Sequence, residues 1–384
     1  GYREGVLHLL SKGADINLLG YKGSPLMIAS RWGNNDMVPF LLHNNADVNL
    51  VGGKYGSSLA AASSKSHIET VHLLLRSGAD INLACGEHGS ALGTACYAHE
   101  RKVVRLLLDK GADVNLRGGK YGSLLGFACS RKDFKLFISL LEHGAHANLP
   151  VTKYGSALAV AASVWNEWEF VDLLVGCGAD VNLAGGKNGS ALGAAAFHDS
   201  PESVEALLHH GADINMAGGK YGNALAAASR GGHMLIVKQL LEEGADVGLP
   251  GGKYGSALAT ACYSGHLEIV RYLLHHGASV NLTGGEHGSA LASTSFRNRR
   301  DIVQLLLDYG ADICLAPLTR MTEYSEMSDS EPDSIPEREA RFWDRDSSFY
   351  WTSSSDSESD SDIDTDSSTD YSDEVGDSDS DSDV

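Results

Sequence analysis

One segment returns down the chain at a nearly fixed interval, and that return limits the fold more than any other property. A block reading Gly-Ala-Asp, then Ile or Val, then Asn-Leu sets its Asp-type position at Asp15, Asp47, Asp80, Asp113, His146, Asp180, Asp213, Asp246, Ser279 and Asp312, in steps of 33 residues except for one of 32 and one of 34. A second marker keeps the same step: Leu26, Leu59, Leu92, Leu125, Leu158, Leu192, Leu225, Leu258 and Leu291. A period of this length marks stacked supersecondary units, none of which buries its apolar face alone. Nine full units follow an N-terminal remnant, Tyr2 to Asn17, that carries only the second half of one. A start in mid-unit exposes a core face, which predicts that the chain is a piece of something longer.

Each unit reads the same way. From the Gly-Ser-Ala-Leu segment, a stretch rich in Ala, Ser and Gly such as Ser57 to Ser63 predicts a first helix whose small side chains allow close packing. After a turn, often Gly-His as at Gly232-His233 and Gly265-His266, apolar residues at i, i+3 and i+4 (Val71, Leu74, Leu75; Val104, Leu107, Leu108; Val237, Leu240, Leu241) predict a second helix with one buried stripe. A Gly such as Gly78, Gly111, Gly211 or Gly244 stops it, and a segment of the form Asn115 to Gly122 supplies a tight hairpin-like loop.

These residues resemble the ankyrin repeat, with its Gly-Ala-Asp-Val-Asn block, its loop, its Thr-Pro-Leu-His-like helix start and its Val-x-x-Leu-Leu before the next Gly. The resemblance covers about residues 2 to 316. It departs in detail, since the helix start reads mostly Ser-Ala-Leu-Ala or Ser-Ala-Leu-Gly, only Ser24-Pro25-Leu26 is near the usual form, and Gly replaces the usual loop Asp. The Gly-Gly-Lys-Tyr-Gly loop is similar to arrays common in fungal proteins, including those that follow NACHT-type nucleotide-binding domains. The fold so implied is all-α: a solenoid of helix-turn-helix units with hairpin loops over residues 1–316, followed by a disordered acidic tail over 317–384.

The tail departs sharply in composition. Residues 317–384 hold 22 acidic and 4 basic residues, whereas residues 1–316 hold 28 and 26. Residues 347–384 combine 13 acids and 14 Ser with no base, too little apolar surface to order a chain. Ser355, Ser357, Ser359, Ser361, Ser378 and Ser380 each have an acid at +1 and +3, a pattern resembling the preference of acidophilic kinases, and Phe342, Trp343, Phe349, Tyr350 and Trp351 form an aromatic island that reads as a short docking motif or a transient cluster. A net charge of −20 disfavours nucleic acid or an anionic membrane as partner. The apolar runs are too short to span a bilayer and the N-terminus does not read as a secretory leader. An intracellular monomer, cytoplasmic or nuclear, is expected.

Two irregularities interrupt the stack: an extra residue in the turn Val164 to Trp168, which carries Trp165 and Trp168, and Pro39 inside a second helix, where it costs a hydrogen bond unless it falls in the first turn. The N-terminal end is expected to be the less stable one.

Motifs for chemistry are absent. The loop glycines lack the spacing of a phosphate-binding loop, the six cysteines lack a metal or redox spacing, and the pairs His209-His210 and His275-His276 are adjacent on a helix and diverge, so that each reads as a cation at a helix C-terminus rather than a chelate. No cofactor and no enzymatic activity are expected. What remains is surface. In the ankyrin architecture the concave side is built by hairpin tips and first helices, so the resemblance implies a protein-binding scaffold whose candidate contacts are the tips Lys54, Tyr55, Lys120, Tyr121, Lys153, Tyr154, Lys220, Tyr221, Lys253 and Tyr254 and the first-helix ends Tyr97, Phe197, Arg230, Tyr263 and Phe296. The competing reading of the repeated Tyr is a structural ladder along the array. Two wider readings accompany this one: that the acidic tail either only keeps the array soluble or folds back onto the tip lysines, and, as a rival function, that the array is the recognition or regulatory arm of a longer NACHT-type nucleoside triphosphatase.

Overall fold

The computed structural model describes residues 2–116, 122–151, 154–164, 168–295 and 299–315. Within them lie an N-terminal helix, Tyr2–Ser11, and nine helix pairs, from Pro25–Arg31 with Met37–His43 to Ala290–Ser295 with Arg300–Asp308, closed by a short 3-10 turn at Ile313–Leu315. Each first helix packs on its own second helix, and successive first helices pack on one another except at the boundary between Ala91–Tyr97 and Leu124–Ser130, where the contact is sparse. The result is a helical repeat solenoid with one continuous core, in which the marker leucines are all nearly or wholly buried. The tail, with its six candidate serines and its aromatic island, lies outside the described residues.

The first helices start where they do because of a cap. Ser24, Ser57, Ser90, Ser123, Ser156, Ser190, Asn223 and Ser256 each accept, through the side chain, the backbone N–H three residues on. This satisfies one of the N–H groups that a helix start leaves without a partner. The Ser of Gly-Ser-Ala-Leu is therefore the residue that fixes the register of the unit. Behind it, Ala60, Ala61, Ala62, Ala226, Ala227 and Ala228 are buried, and their small volume lets neighbouring first helices approach.

The Gly-Ala-Asp-Val-Asn block joins units. The Asp carboxylate accepts the N–H two residues on, as in Asn49 N to Asp47 Oδ1 at 2.9 Å, which shapes the turn after the second helix. The Asn then reaches into the next unit: Asn49 Oδ1 accepts the N–H of Asp80 at 2.7 Å while Asn49 Nδ2 donates to the carbonyl of Gly78 at 3.1 Å. The same Oδ1 bond recurs from Asn17, Asn82, Asn115, Asn148, Asn182, Asn215 and Asn281 at 2.7–2.8 Å. A second tie runs beneath the helix turn, where His67 Nε2 lies 2.9 Å from the carbonyl of Arg31 and His233 Nε2 lies 2.9 Å from that of Phe197. The turn His, after Ser66 in one unit and after Gly232 in another, thus makes an inter-unit contact.

Pro39 is the third residue of Met37–His43, a position whose N–H would have no intrahelical partner, so the expected hydrogen-bond cost is not incurred. Apolar exposure does concentrate at this end, in Leu7, Leu9, Leu18, Leu19, Tyr21 and Trp32. Of the two indoles in the longer turn, Trp165 lies outside the described residues and Trp168 begins its helix at 41% exposure.

Candidate interaction surface

The hairpin tips form a ladder of their own. Backbone N–H groups donate from one tip to the carbonyl of the tip before it: Lys54 to Tyr21 at 3.2 Å, Lys220 to Lys187 at 2.7 Å, Lys253 to Lys220 at 2.7 Å and Glu286 to Lys253 at 2.8 Å. Two glycines make this approach close enough. Gly252 and Gly285 have φ of 70°, and a Cβ on either would strike the backbone at Tyr221 or Tyr254 in the preceding tip. The Gly-Gly of the loop is a stacking requirement.

On this backbone ladder the side chains build a second one. A tip ring is flanked by the first-helix end of the previous unit, 24 residues before it, and by that of its own unit, nine residues after it. Arg31 lies 4.5 Å over the Tyr55 ring, Phe197 stacks on Tyr221 at 4.9 Å, and His88 stacks on Tyr97 at 4.0 Å. The run is longest near the C-terminus, where Tyr254 meets Tyr263 at 4.5 Å, Tyr263 meets His287 at 5.2 Å, and the Arg230 guanidinium lies 5.9 Å from the Tyr263 ring. Burial, the largest influence, raises the Tyr254 hydroxyl above the ordinary phenol range against the lowering effect of Arg230.

This arrangement sorts the candidate residues. Tyr221 and Tyr254 are only 4% exposed and serve the ladder, whereas Tyr97 remains 45% exposed at its edge. Tyr55, Tyr154, Phe197, Arg230 and Tyr263 are half-buried, each with part of its side chain open to solvent. Lys54 is exposed, while Lys220 and Lys253 are half-buried, and Lys253 Nζ pairs with Glu286 Oε2 at 3.1 Å. Lys120, Tyr121, Lys153 and Phe296 lie outside the described residues. The sequence reading did not find the partners that join units, Arg31 to Tyr55 and Phe197 to Tyr221, although the fixed offset of 24 residues was available in the repeat.

The remaining chemistry-bearing residues are structural. His210 Nε2 lies 2.8 Å from Asp172 Oδ1 on the preceding second helix, and His276 Nδ1 lies 2.8 Å from the carbonyl of Tyr272 one turn back in its own helix, so each is engaged structurally. Burial pushes the Cys96 and Cys262 thiols up to about 12 and the Cys129 thiol higher still, which makes them inert apolar filling. Among the described residues no group of three His, Cys, Asp or Glu could hold a metal ion, and no helix is long and apolar enough to cross a membrane.

Stacked helix pairs, inter-unit Asn bonds and a hairpin ladder define a repeat protein of the kind that presents an extended surface. A family profile described as ankyrin repeats (3 copies) matches residues 26–118, 125–218 and 224–316. The chain belongs to the ankyrin repeat family, a non-catalytic family that mediates protein–protein interaction. Comparison with curated protein sequences returns no match.

Proposed function

We propose that the array is a non-catalytic scaffold that captures a partner protein on the face shared by the hairpin tips and the first-helix ends. One observation carries this reading. The first-helix end changes from unit to unit, through Arg31, Ser64, Tyr97, Ser130, Ser163, Phe197, Arg230 and Tyr263, while tip rings such as His88, Tyr221 and Tyr254 pack 4.0–4.9 Å from an aromatic end. Side chains that vary on a fixed lattice are preorganised, so a partner meets rings and guanidinium groups whose ordering cost has already been met in folding. Tyr97 is the best single anchor because it combines a supported ring with open surface.

Affinity capture with the intact chain, compared with a Tyr97→Ala, Phe197→Ala, Tyr263→Ala variant that retains its helical circular dichroism, tests the reading. Loss of the captured protein from the variant is expected. Equal capture by the folded variant removes this face from the proposed function.

A further inference from the structure

The second helices carry a charge pattern that the tip-side surface does not use. Beside the start of each second helix, one register reads Asp36, Glu69, Lys102, Lys135, Glu169, Glu202, Leu235, Glu268 and Asp301. An acid suits the positive end of a helix dipole, and six of the nine units follow that rule. Units three and four reverse it with Lys102, in Arg101–Asp109, and Lys135, in Phe134–Glu142. Arg101 and Arg105 add two more exposed cations on the first of these helices. Of the acids beside them, Asp133 is already engaged, since it accepts the N–H of Leu136 at 3.1 Å and lies 3.5 Å from Arg101, while Glu100 precedes the first helix. Residues 99–135 hold nine Lys and Arg against four Asp and Glu, in an array that holds 26 against 28.

Beside these cations stand two open aromatic rings at one register of successive units. Phe134 is 47% exposed and Trp168 is 41% exposed. Phe134 is held in place from behind, its ring 5.5 Å from Phe170 in an edge-on contact. At the far ends of the same two helices stand Asp109, followed by exposed Lys110, and Glu142.

We infer that this belt, Arg101, Lys102, Arg105 and Lys135 with Phe134 and Trp168, docks a short acidic segment of a partner protein that carries an apolar or aromatic side chain among its carboxylates. Arg101, Lys102 and Lys135 sit in first turns, where the helix dipole disfavours them, and a bound carboxylate run relieves that arrangement. The rings give the segment a place to bury its apolar side chain, which charge alone would not require. Nucleic acid is disfavoured by the small number of cations and by the net charge of −20. The surface lies on second helices, so a protein held there leaves the tips and first-helix ends open.

The test is titration calorimetry of the full chain with an acidic peptide of Asp and Glu residues around one Trp, its Asn and Gln counterpart, and a single-stranded oligonucleotide of similar length. Saturable binding of the acidic peptide alone is expected. A Lys102→Glu, Lys135→Glu variant installs the acids that six other units carry, so it should keep or raise the melting temperature while weakening the peptide by at least about tenfold. A Phe134→Ala, Trp168→Ala variant should weaken the peptide while leaving its salt dependence in place. Unchanged affinity in the charge-reversed variant, equal binding of the neutral peptide, tighter binding of the oligonucleotide or no binding of the acidic peptide each overturns the proposal.

Discussion

The Asn ladder contains one gap, and the gap predicts where the solenoid opens. Gly248 occupies the position that Asn fills at residues 17, 49, 82, 115, 148, 182, 215 and 281, and among the described residues the N–H of Ser279 has no Asn Oδ1 to bond. The same unit boundary lacks the usual Asp, because Ser279 stands in its place. Units eight and nine, Ala257–Ser264 to Arg300–Asp308, should therefore exchange their amide hydrogens as a block, faster than the adjoining units five to seven. Gly248→Asn repairs the gap. The backbone at Gly248 is not left-handed, and a Cβ there approaches only Asp246 Oδ1, at 3.3 Å, the carboxylate that every intact Asp-Asn pair already accommodates.

Two hydrogen bonds return, one to the N–H of Ser279 and one to the carbonyl of Gly277, each worth about 0.5–1.5 kcal/mol net and toward the low end at an exposed site. Removing a glycine adds about 0.4–1 kcal/mol through the unfolded chain. The expected gain is about 1.5–3 kcal/mol, confined to the boundary between units seven and eight. Native-state hydrogen exchange read by mass spectrometry should slow in residues 257–308 by roughly tenfold or more, with little change before residue 210. Asn215→Gly should create the same weakness one unit earlier. Unchanged exchange in units eight and nine after Gly248→Asn, or uniform slowing along the whole array, would falsify the idea that single Asn bonds set local stability.

Other outcomes follow from the same packing. Leu225→Ala truncates a side chain that is 2% exposed and should cost about 2–5 kcal/mol in denaturant titration, with exchange accelerated chiefly in the adjacent units. Alkylation near neutral pH should label exposed Cys177 and Cys314 and spare Cys96 and Cys262, whose thiols are pushed up to about 12 by burial, so equal labelling of all four in the folded chain contradicts the packing. His266 titrates below its ordinary 6.5, chiefly because burial disfavours its charged form, so the unfolded chain binds the proton first. Stability should fall as pH drops from 6.5 toward the lower folded value and level off beneath it, and His266→Gln should reduce that slope in melts across the window.

The period, the helix pairs and the stops at Gly78, Gly111, Gly211 and Gly244 were legible because each is written locally, in caps and apolar spacing. Ser57 could be placed because it bonds Ala60 three residues away. What escaped was written between units. Asn49 acts on Asp80, His67 on Arg31 and Tyr55 under Arg31, all at separations of 24 to 36 residues, and a local pattern carries no sign of which neighbour a side chain will meet. The tip tyrosines show the cost of that blindness. Tyr55, Tyr221 and Tyr254 are alike in sequence, yet Tyr221 and Tyr254 are buried and Tyr55 is only half covered, by a guanidinium.

That difference bears on how such an array can acquire a partner without losing its fold. The backbone of each tip is fixed by the glycines and by the N–H to carbonyl chain from Lys187 through Lys220 and Lys253 to Glu286, none of which depends on the identity of the ring. The ring position therefore tolerates Tyr, His or Asn, as at Tyr221, His88 and Asn188, and the first-helix end tolerates Arg, Ser, Tyr or Phe. Stability resides in backbone and cap contacts that repeat, while the side chains between them are free to vary in pairs: an Arg over a Tyr at Arg31 and Tyr55, a Phe on a Tyr at Phe197 and Tyr221, an imidazole on a Tyr at His88 and Tyr97. Were this the binding face proposed above, specificity would be a property of the pair rather than of either residue. Substituting a first-helix end without regard to the ring beneath it changes both the contact offered to a partner and the support that holds it.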